Sequence, residues 1–333
     1  MKAVNKKIKA LDLWEEICWA AWRCGDPGVQ YSDIINSWNT CPKSGRINGS
    51  NPCSEYLFLD DTSCNLASIN VLKFFIFEEE RFDFDGYIHA IKMIQMVLEA
   101  TIHWGQFPTP QIAENTYKFR TTGLGLTNMG ALIMYLGIPY DSIEARSICA
   151  MLCSVMTGQA YLTSAQMAED IGPFMEYTKN KKYMMDVVLR HENAFRHLYH
   201  PNRDPKKTWN QEISSLDSVG RLFSDEMVQK ATKIWADAVW VGGTHGFRNA
   251  QVTVLAPTGT IAFAMDCDTT SSEPFFSHKI YKKVVDGSWI ETVNRMIPMA
   301  LKHLGYSSSD IASIEQYVRD GDGKIEGAPH LRP

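Results

Sequence analysis

"NPCSEYLFLDDTSCNLASIN", Asn51 to Asn70, places two thiols in one short stretch. Cys53 follows Pro52 and stands between the amide of Asn51 and the carboxylate of Glu55. Pro52 stiffens the backbone just before the thiol. Residues 29–55 read as loop, because Asn, Ser, Gly and Pro scatter through "NSWNTCPKSGRINGSNP". A single cysteine is most often a small buried hydrophobe. Here an amide and a carboxylate able to act as base share its loop, which is poor core design and suits a reactive site. Cys64 follows at C-x10-C spacing, at the start of the predicted strand in "CNLASINVLKFFIF". That spacing is not a zinc knuckle, which needs close cysteine pairs. Two thiols at one site can act as a reductant by cycling to a disulfide. The alternative is that Cys64 belongs to the core.

Outward from this stretch, helical periodicity dominates. Asp12 to Trp22 reads as a helix capped by Asp12 and ended by the turn residues of "CGDPG". "YIHAIKMIQMVLEATIHW" is an amphipathic helix, and "GALIMYLG" a short one stopped by Gly137 and Pro139. Ser142 to about Asp170 is a long helix with an expected break near Gly158. "SDEMVQKATKIWADAVW" is another helix, and "AQVTVLAP" a short apolar strand. Helices separated by short buried strands make an α/β pattern.

Composition narrows the function classes. The 333 residues, 45% of them hydrophobic, suffice for a sizeable core. A net charge of −5 gives no reason to expect a nucleic-acid polymer or an anionic membrane as partner. No run of about 18 apolar residues suggests a membrane span. The basic start "MKAVNKKIKALDLW" lacks the apolar segment of a signal peptide. Eight cysteines at irregular spacing do not form a secreted disulfide framework, so a reducing cytoplasm is the expected setting.

Three further motifs stand out. "APTGTIA", residues 256–262, is a strand end followed by a glycine turn flanked by hydroxyls. Backbone N–H groups of such a turn can bind phosphate, although it is no Walker A loop and ordinary strand–turn segments look similar. "TGLGLTNMG" lacks G-x-G-x-x-G spacing and reads as helix packing. "HENAFRHLYH" gathers His191, His197 and His200, which read as a solvated helix face rather than a metal site.

Taken together, "CGDPGVQYSDIINSWNTCPKSGRINGSNPCSEYLFLDDTSCNLASINVLKF", "RTTGLGLTNMGALIMYLGIPYD" and "RNAQVTVLAPTGTIAFAMDCDTTSSEPFF" resemble the large catalytic subunit of ribonucleotide reductases. The likeness runs over nearly the whole chain and looks closest to the adenosylcobalamin-dependent, class II form. It implies part of a ten-stranded α/β barrel, with the finger loop and most of the second half-barrel. All of 1–333 would then be one incomplete catalytic barrel domain: helix and turn in 1–28, finger loop region in 29–63, second half-barrel in 64–333.

The same resemblance implies the site. Cys53 would be the thiyl-radical residue that takes the 3′ hydrogen of the ribose, Glu55 the base for the 3′-hydroxyl, and Asn51 a sugar anchor. Cys64 would be one of two thiols that reduce the 2′ carbon and end as a disulfide. Ser63, Pro257, Thr258, Gly259, Thr260 and Ile261 would bind the substrate, the last five around its phosphates. No protein-held metal is expected. The implied activity is reduction of ribonucleoside diphosphates or triphosphates, with adenosylcobalamin as radical source and a thioredoxin-like dithiol as reductant. The family's partner for Cys64 lies on the first barrel strand, so an upstream polypeptide carrying that half-barrel is an expected partner and the isolated chain is expected to be inactive. The alternatives are a catalytically incomplete relic or structural partner, and a glycyl-radical enzyme of the same barrel class, which N-x-C-x-E argues against.

Overall fold

A computed structural model describes residues 7–199 and 222–332. Its contacts divide the chain into two units, one ending at Trp38 and the other beginning at Asn39.

The first unit holds helix α1 (Ala10–Cys24) and the short helix α2 (Ser32–Ser37). Asp12 does not cap α1; Lys9 precedes the helix without a side-chain bond, and Asp12 sits in the first turn, where its charge complements the helix dipole. Gly25 ends α1 in the left-handed region at φ +77, its N–H bonded to the Ala21 carbonyl. Trp19 and Trp22 stack on this helix at 5.0 Å. Cys18 is exposed here.

In the second unit, β1 (Asn65–Asn70) runs into a single 3-10 turn, and the two-residue strands β2 (Phe75–Ile76) and β3 (Arg81–Phe82) pair antiparallel. Helix α3 (Phe84–Trp104) starts at Asp83, whose carboxylate accepts the Gly86 N–H at 3.0 Å. Helix α4 (Pro110–Phe119) has proline in its first turn, and Thr109 caps it through the Ile112 N–H. Strand β4 (Thr122–Thr127) lies parallel to β1, in register from Asn65 opposite Thr122 to Asn70 opposite Thr127.

Residues 251–254 follow the other edge of β4. Thr122 and Leu124 donate to the carbonyls of Gln251 and Val252, both at 2.9 Å, and Leu124 bridges Thr253 in parallel. The stretch expected as a short strand is therefore a brief parallel ladder. "TGLGLT", read as helix packing, is instead the central strand. All six of its residues are buried. Glycine is scarce in strands, and its presence here marks close approach by neighbours.

Helices α5 (Met129–Tyr135), α6 (Ile143–Ile171), α7 (Tyr177–Tyr199) and α8 (Asp225–His245) cover this array. By length and composition α6 could cross a membrane, yet 72% of its apolar window is buried inside the fold. It is not broken at Gly158, because its hydrogen-bonded turns continue through that residue. The glycine instead makes room for the indole of Trp235 on α8, which would lie 2.8 Å from a Cβ there. His191 on α7 is not a solvated residue: it stacks on Trp235 at 6.1 Å, and burial lowers its pKa to about 4. His200 lies outside the described residues. The one-turn helix α9 (Ile261–Ala264), the hairpin β5 (Lys279–Lys283) and β6 (Trp289–Val293), and helices α10 (Met296–His303) and α11 (Ser308–Asp320) complete the unit.

One buried polar knot aligns the parallel segments. Glu99 on α3 receives Arg120 Nε at 2.6 Å, Arg248 Nε at 2.7 Å and Asn249 Nδ2 at 2.7 Å. Asn249 also donates to the Arg120 carbonyl at 2.8 Å. Burying a carboxylate without such partners would cost several kcal/mol, roughly the 3–5 kcal/mol seen when a buried pair loses one member. Arg120 lies two residues before β4, and Arg248 and Asn249 precede residues 251–254, so the knot sets where both segments start.

Candidate active site

The loop around Cys53 closes on itself. The Asn51 N–H donates to the Tyr56 carbonyl at 3.3 Å, and the Tyr56 N–H donates to Asn51 Oδ1 at 3.0 Å. The Ser54 N–H meets the Asn51 carbonyl at 3.0 Å, with Ser54 in the left-handed region at φ +64. This turn leaves Cys53 exposed at the tip. Asn51 and Glu55 are half-buried, and Asn51 Nδ2 donates to Glu55 Oε2 at 2.5 Å. The amide therefore holds the carboxylate in place, leaving Glu55 its second oxygen for other partners.

Ser63 and Cys64 stand where the chain enters β1. Ser63 Oγ pairs with Thr116 Oγ1 at 2.8 Å, and its carbonyl accepts from Thr121 Oγ1 at 2.6 Å. Burial pushes the Cys64 thiol up to about 12, and the nearby Glu55 charge adds to that rise. At neutral pH Cys64 thus keeps its proton, which suits a hydrogen donor better than a thiolate nucleophile. Gly123, opposite Leu66 in the register, provides the space for this thiol. A Cβ at Gly123 would lie 2.5 Å from Cys64 Sγ.

The "PTGT" turn is held from beneath. Thr258 is buried in the left-handed region at φ +53. Its hydroxyl pairs with Thr127 Oγ1 at 3.0 Å and accepts the Ser271 N–H at 2.6 Å. Its carbonyl accepts the Ala262 N–H at 3.0 Å, starting α9. Pro257, Gly259, Thr260 and Ile261 are exposed around this anchor. No atom lies within 4 Å of a Cβ built on Gly259, so the face of the turn is open. Gly125 lets the chain leading to the turn cross β4, because a Cβ there would lie 2.7 Å from the Val254 carbonyl oxygen. Asn128, at the end of β4, accepts the N–H groups of Asp268 and Thr269 at 2.9 and 3.0 Å and donates to Asn70 at 3.1 Å.

The ribonucleotide reductase barrel domain model matches residues 1–333. The chain belongs to this family. It is 45% identical over 330 residues to the vitamin B12-dependent ribonucleotide reductase of Bradyrhizobium diazoefficiens, covering 99% of this chain and 26% of that protein. The enzyme of the same name from Agrobacterium fabrum is 44% identical, again across 99% of this chain and 26% of its own length. A vitamin B12-dependent ribonucleoside-diphosphate reductase of Thermoplasma acidophilum is 26% identical, over 93% of this chain and 33% of that protein. The chain thus spans about a quarter to a third of these curated relatives.

Within this reductase-family chain, the residues singled out from sequence fall into two groups joined by β4. Asn51 and Glu55 are bonded directly, and Glu55 acts on Cys64 through its charge. Cys53 is at the tip of the same loop, and among the described residues no hydrogen bond reaches its thiol. The "PTGT" turn forms the second group. Its approach passes over Gly125, two residues along the strand from the glycine that accommodates Cys64. Sequence reading missed Tyr56, Gly123, Gly125, Thr127 and Asn128. The i, i+2 spacing of the two glycines was the available signal, since it puts both on one face of a strand.

Proposed function

We propose that the chain is the catalytic core segment of a ribonucleotide reductase that converts ribonucleoside di- or triphosphates to deoxyribonucleotides. The observation that carries this reading is the loop in which Asn51 holds Glu55 beside the protonated Cys64 while Cys53 stands free at the tip. In it, the finger loop and most of the second half-barrel of the ten-stranded fold lie in residues 29–333, with 1–28 as the helix and turn before them.

The Cys53 sulfur radical takes the 3′ hydrogen atom from the ribose, re-forming the S–H bond and leaving a carbon radical. Glu55 accepts the 3′-hydroxyl proton, and Asn51, besides orienting Glu55, contacts the sugar. Cys64 is one of two thiols that together supply the two protons and two electrons for replacing the 2′-hydroxyl by hydrogen and close to a disulfide, the second thiol coming with the first half-barrel. Ser63 binds the substrate near the sugar, and Pro257, Thr258, Gly259, Thr260 and Ile261 surround its phosphates, with backbone N–H groups as donors. Adenosylcobalamin, when bound, supplies the one-electron chemistry that side chains lack. The exposed Cys53 thiol fits such a group, because it can be approached from outside the loop without breaking a hydrogen bond of the described residues. A thioredoxin-like dithiol restores Cys64, and a polypeptide with the first half-barrel completes the site. A reducing cytoplasm suits its free cysteines.

The test is Cys53→Ser in the complete reductase. Turnover should fall below detection while nucleotide affinity changes by less than about threefold, well under the tenfold that 1.4 kcal/mol would give. Retained reduction by Cys53→Ser would remove the radical role.

A further inference from the structure

Tyr56 closes the Cys53 loop, and its side chain reaches the entries to β1 and β4. Its hydroxyl lies 2.9 Å from Thr62 Oγ1, 2.9 Å from Thr121 Oγ1 and 3.3 Å from the Ser63 carbonyl. The phenol and the two threonines carry one proton each, so Tyr56 can donate to one of these three oxygens, and a threonine that donates to a backbone carbonyl can only accept from Tyr56. Both threonines are tied onward. Thr121 bonds the Ser63 carbonyl at 2.6 Å and Thr62 the Leu59 carbonyl at 2.5 Å. Ser63 in turn bonds Thr116 on α4 at 2.8 Å. The hydroxyls of Tyr56, Thr62 and Thr121 therefore meet at the entries to β1 and β4, and Ser63 carries the connection on to Thr116 of α4.

We infer that Tyr56 is a positioning residue that locks the Cys53 loop in register with Cys64. The backbone of Tyr56 closes the loop on Asn51 in both directions, and its hydroxyl fixes the same residue to the two positions flanking Cys64 on the sheet: Ser63, its neighbour in the chain, and Thr121, which precedes β4. Tyr56 is thereby the rigid link between the Asn51–Glu55 pair and the second thiol. Burial raises the phenol well above its usual range, so it stays protonated and keeps its donor role through neutral pH. A phenylalanine would fill the same volume and pack on Phe58, whose ring is 6.4 Å away, but would release all three polar partners. The inference rests on the functional reading above for its consequence in turnover, and on geometry alone for the latch itself.

The experiment uses Tyr56→Phe in two settings. In the 333-residue chain, residue-resolved hydrogen exchange should show the amides of residues 51, 54 and 56 exchanging at least roughly tenfold faster, with those of Leu124 and Val254 unchanged within about twofold. In the complete reductase kcat should fall roughly tenfold or more with KM unchanged within about threefold, the split expected when geometry in the transition state is lost but substrate binding is not. Unprotected loop amides in the wild type, or unchanged exchange in the variant, would overturn the latch. Faster exchange with unaltered kcat would overturn its positioning role. A wild-type reductase without turnover would instead strike at the functional reading, and the exchange result would still decide on the latch. Should Tyr56→Phe fail to fold, Thr62→Val removes one partner of the hydroxyl and must give the same loop-specific loss of protection.

Discussion

Gly123 and Cys64 compete for one volume. A methyl group on Gly123 would also lie 2.7 Å from Leu66 Cδ2 and 2.9 Å from Val254 Cγ2, so it has no direction in which to relax. Gly123→Ala should destabilise the fold by about 1–3 kcal/mol, the usual cost of overpacking. Denaturant unfolding would measure this, and a variant as stable as wild type would show that the slot is not tight. The displaced thiol should also become more reactive. In the wild type, Cys64 has its pKa pushed up to about 12. The sign follows directly: the proton is held more tightly, so thiolate is scarce until the pH approaches that value. Peptide-resolved alkylation of Cys64 should rise roughly tenfold per pH unit from neutral pH to about 11, with no plateau near the ordinary cysteine range of about 8.5. A plateau there would mean the thiol is solvated.

Gly158 tests packing against propensity at the scale of elements. Alanine in a helix interior is worth about 1 kcal/mol over glycine, so propensity alone makes Gly158→Ala stabilising. Trp235 reverses the sign: its indole would sit 2.8 Å from the new Cβ, and its Nε1 is bonded to Ser154 Oγ at 3.0 Å, which fixes the ring. A net loss of about 1–3 kcal/mol is expected in thermal or denaturant unfolding; a gain would show that α6 and α8 can part without cost. The same competition explains what could be read from sequence. Helices α3, α6 and α8 were legible because their apolar periodicity and capping residues are local. Strand β4 was not, because its glycines lower strand propensity and their value lies in what approaches them from other segments. The break expected in α6 failed for the same reason. At the candidate site, Asn51, Cys53, Glu55, Cys64 and the "PTGT" turn could be singled out because their residue types suit the proposed chemistry. Tyr56 and Asn128 act through partners far along the chain, such as Thr121 and Asp268, and no short window of sequence pairs them.

For the whole molecule the electron count decides what the chain can do. Replacing a 2′ C–OH by C–H consumes two electrons and two protons, and two thiols closing to a disulfide supply both. Cys64 is a free thiol, and among the described residues no cysteine is bonded to it. The "PTGT" turn and the Cys53 loop can be preorganised by the knot at Glu99 and the hydroxyls around Tyr56 without any second thiol. Binding and reduction should therefore separate. The 333-residue chain, given adenosylcobalamin, a dithiol and a ribonucleotide, should form no measurable deoxyribonucleotide. It should bind the nucleotide nonetheless, detectable as a rise in thermal midpoint with ligand concentration. Adding a polypeptide that carries the rest of the relatives' length should restore product formation, and a Cys64→Ser chain in the same mixture should not reduce the 2′ carbon. Normal turnover by the chain alone would refute the two-thiol requirement. Failure of restoration despite a stable complex would favour the reading as a catalytically incomplete relic.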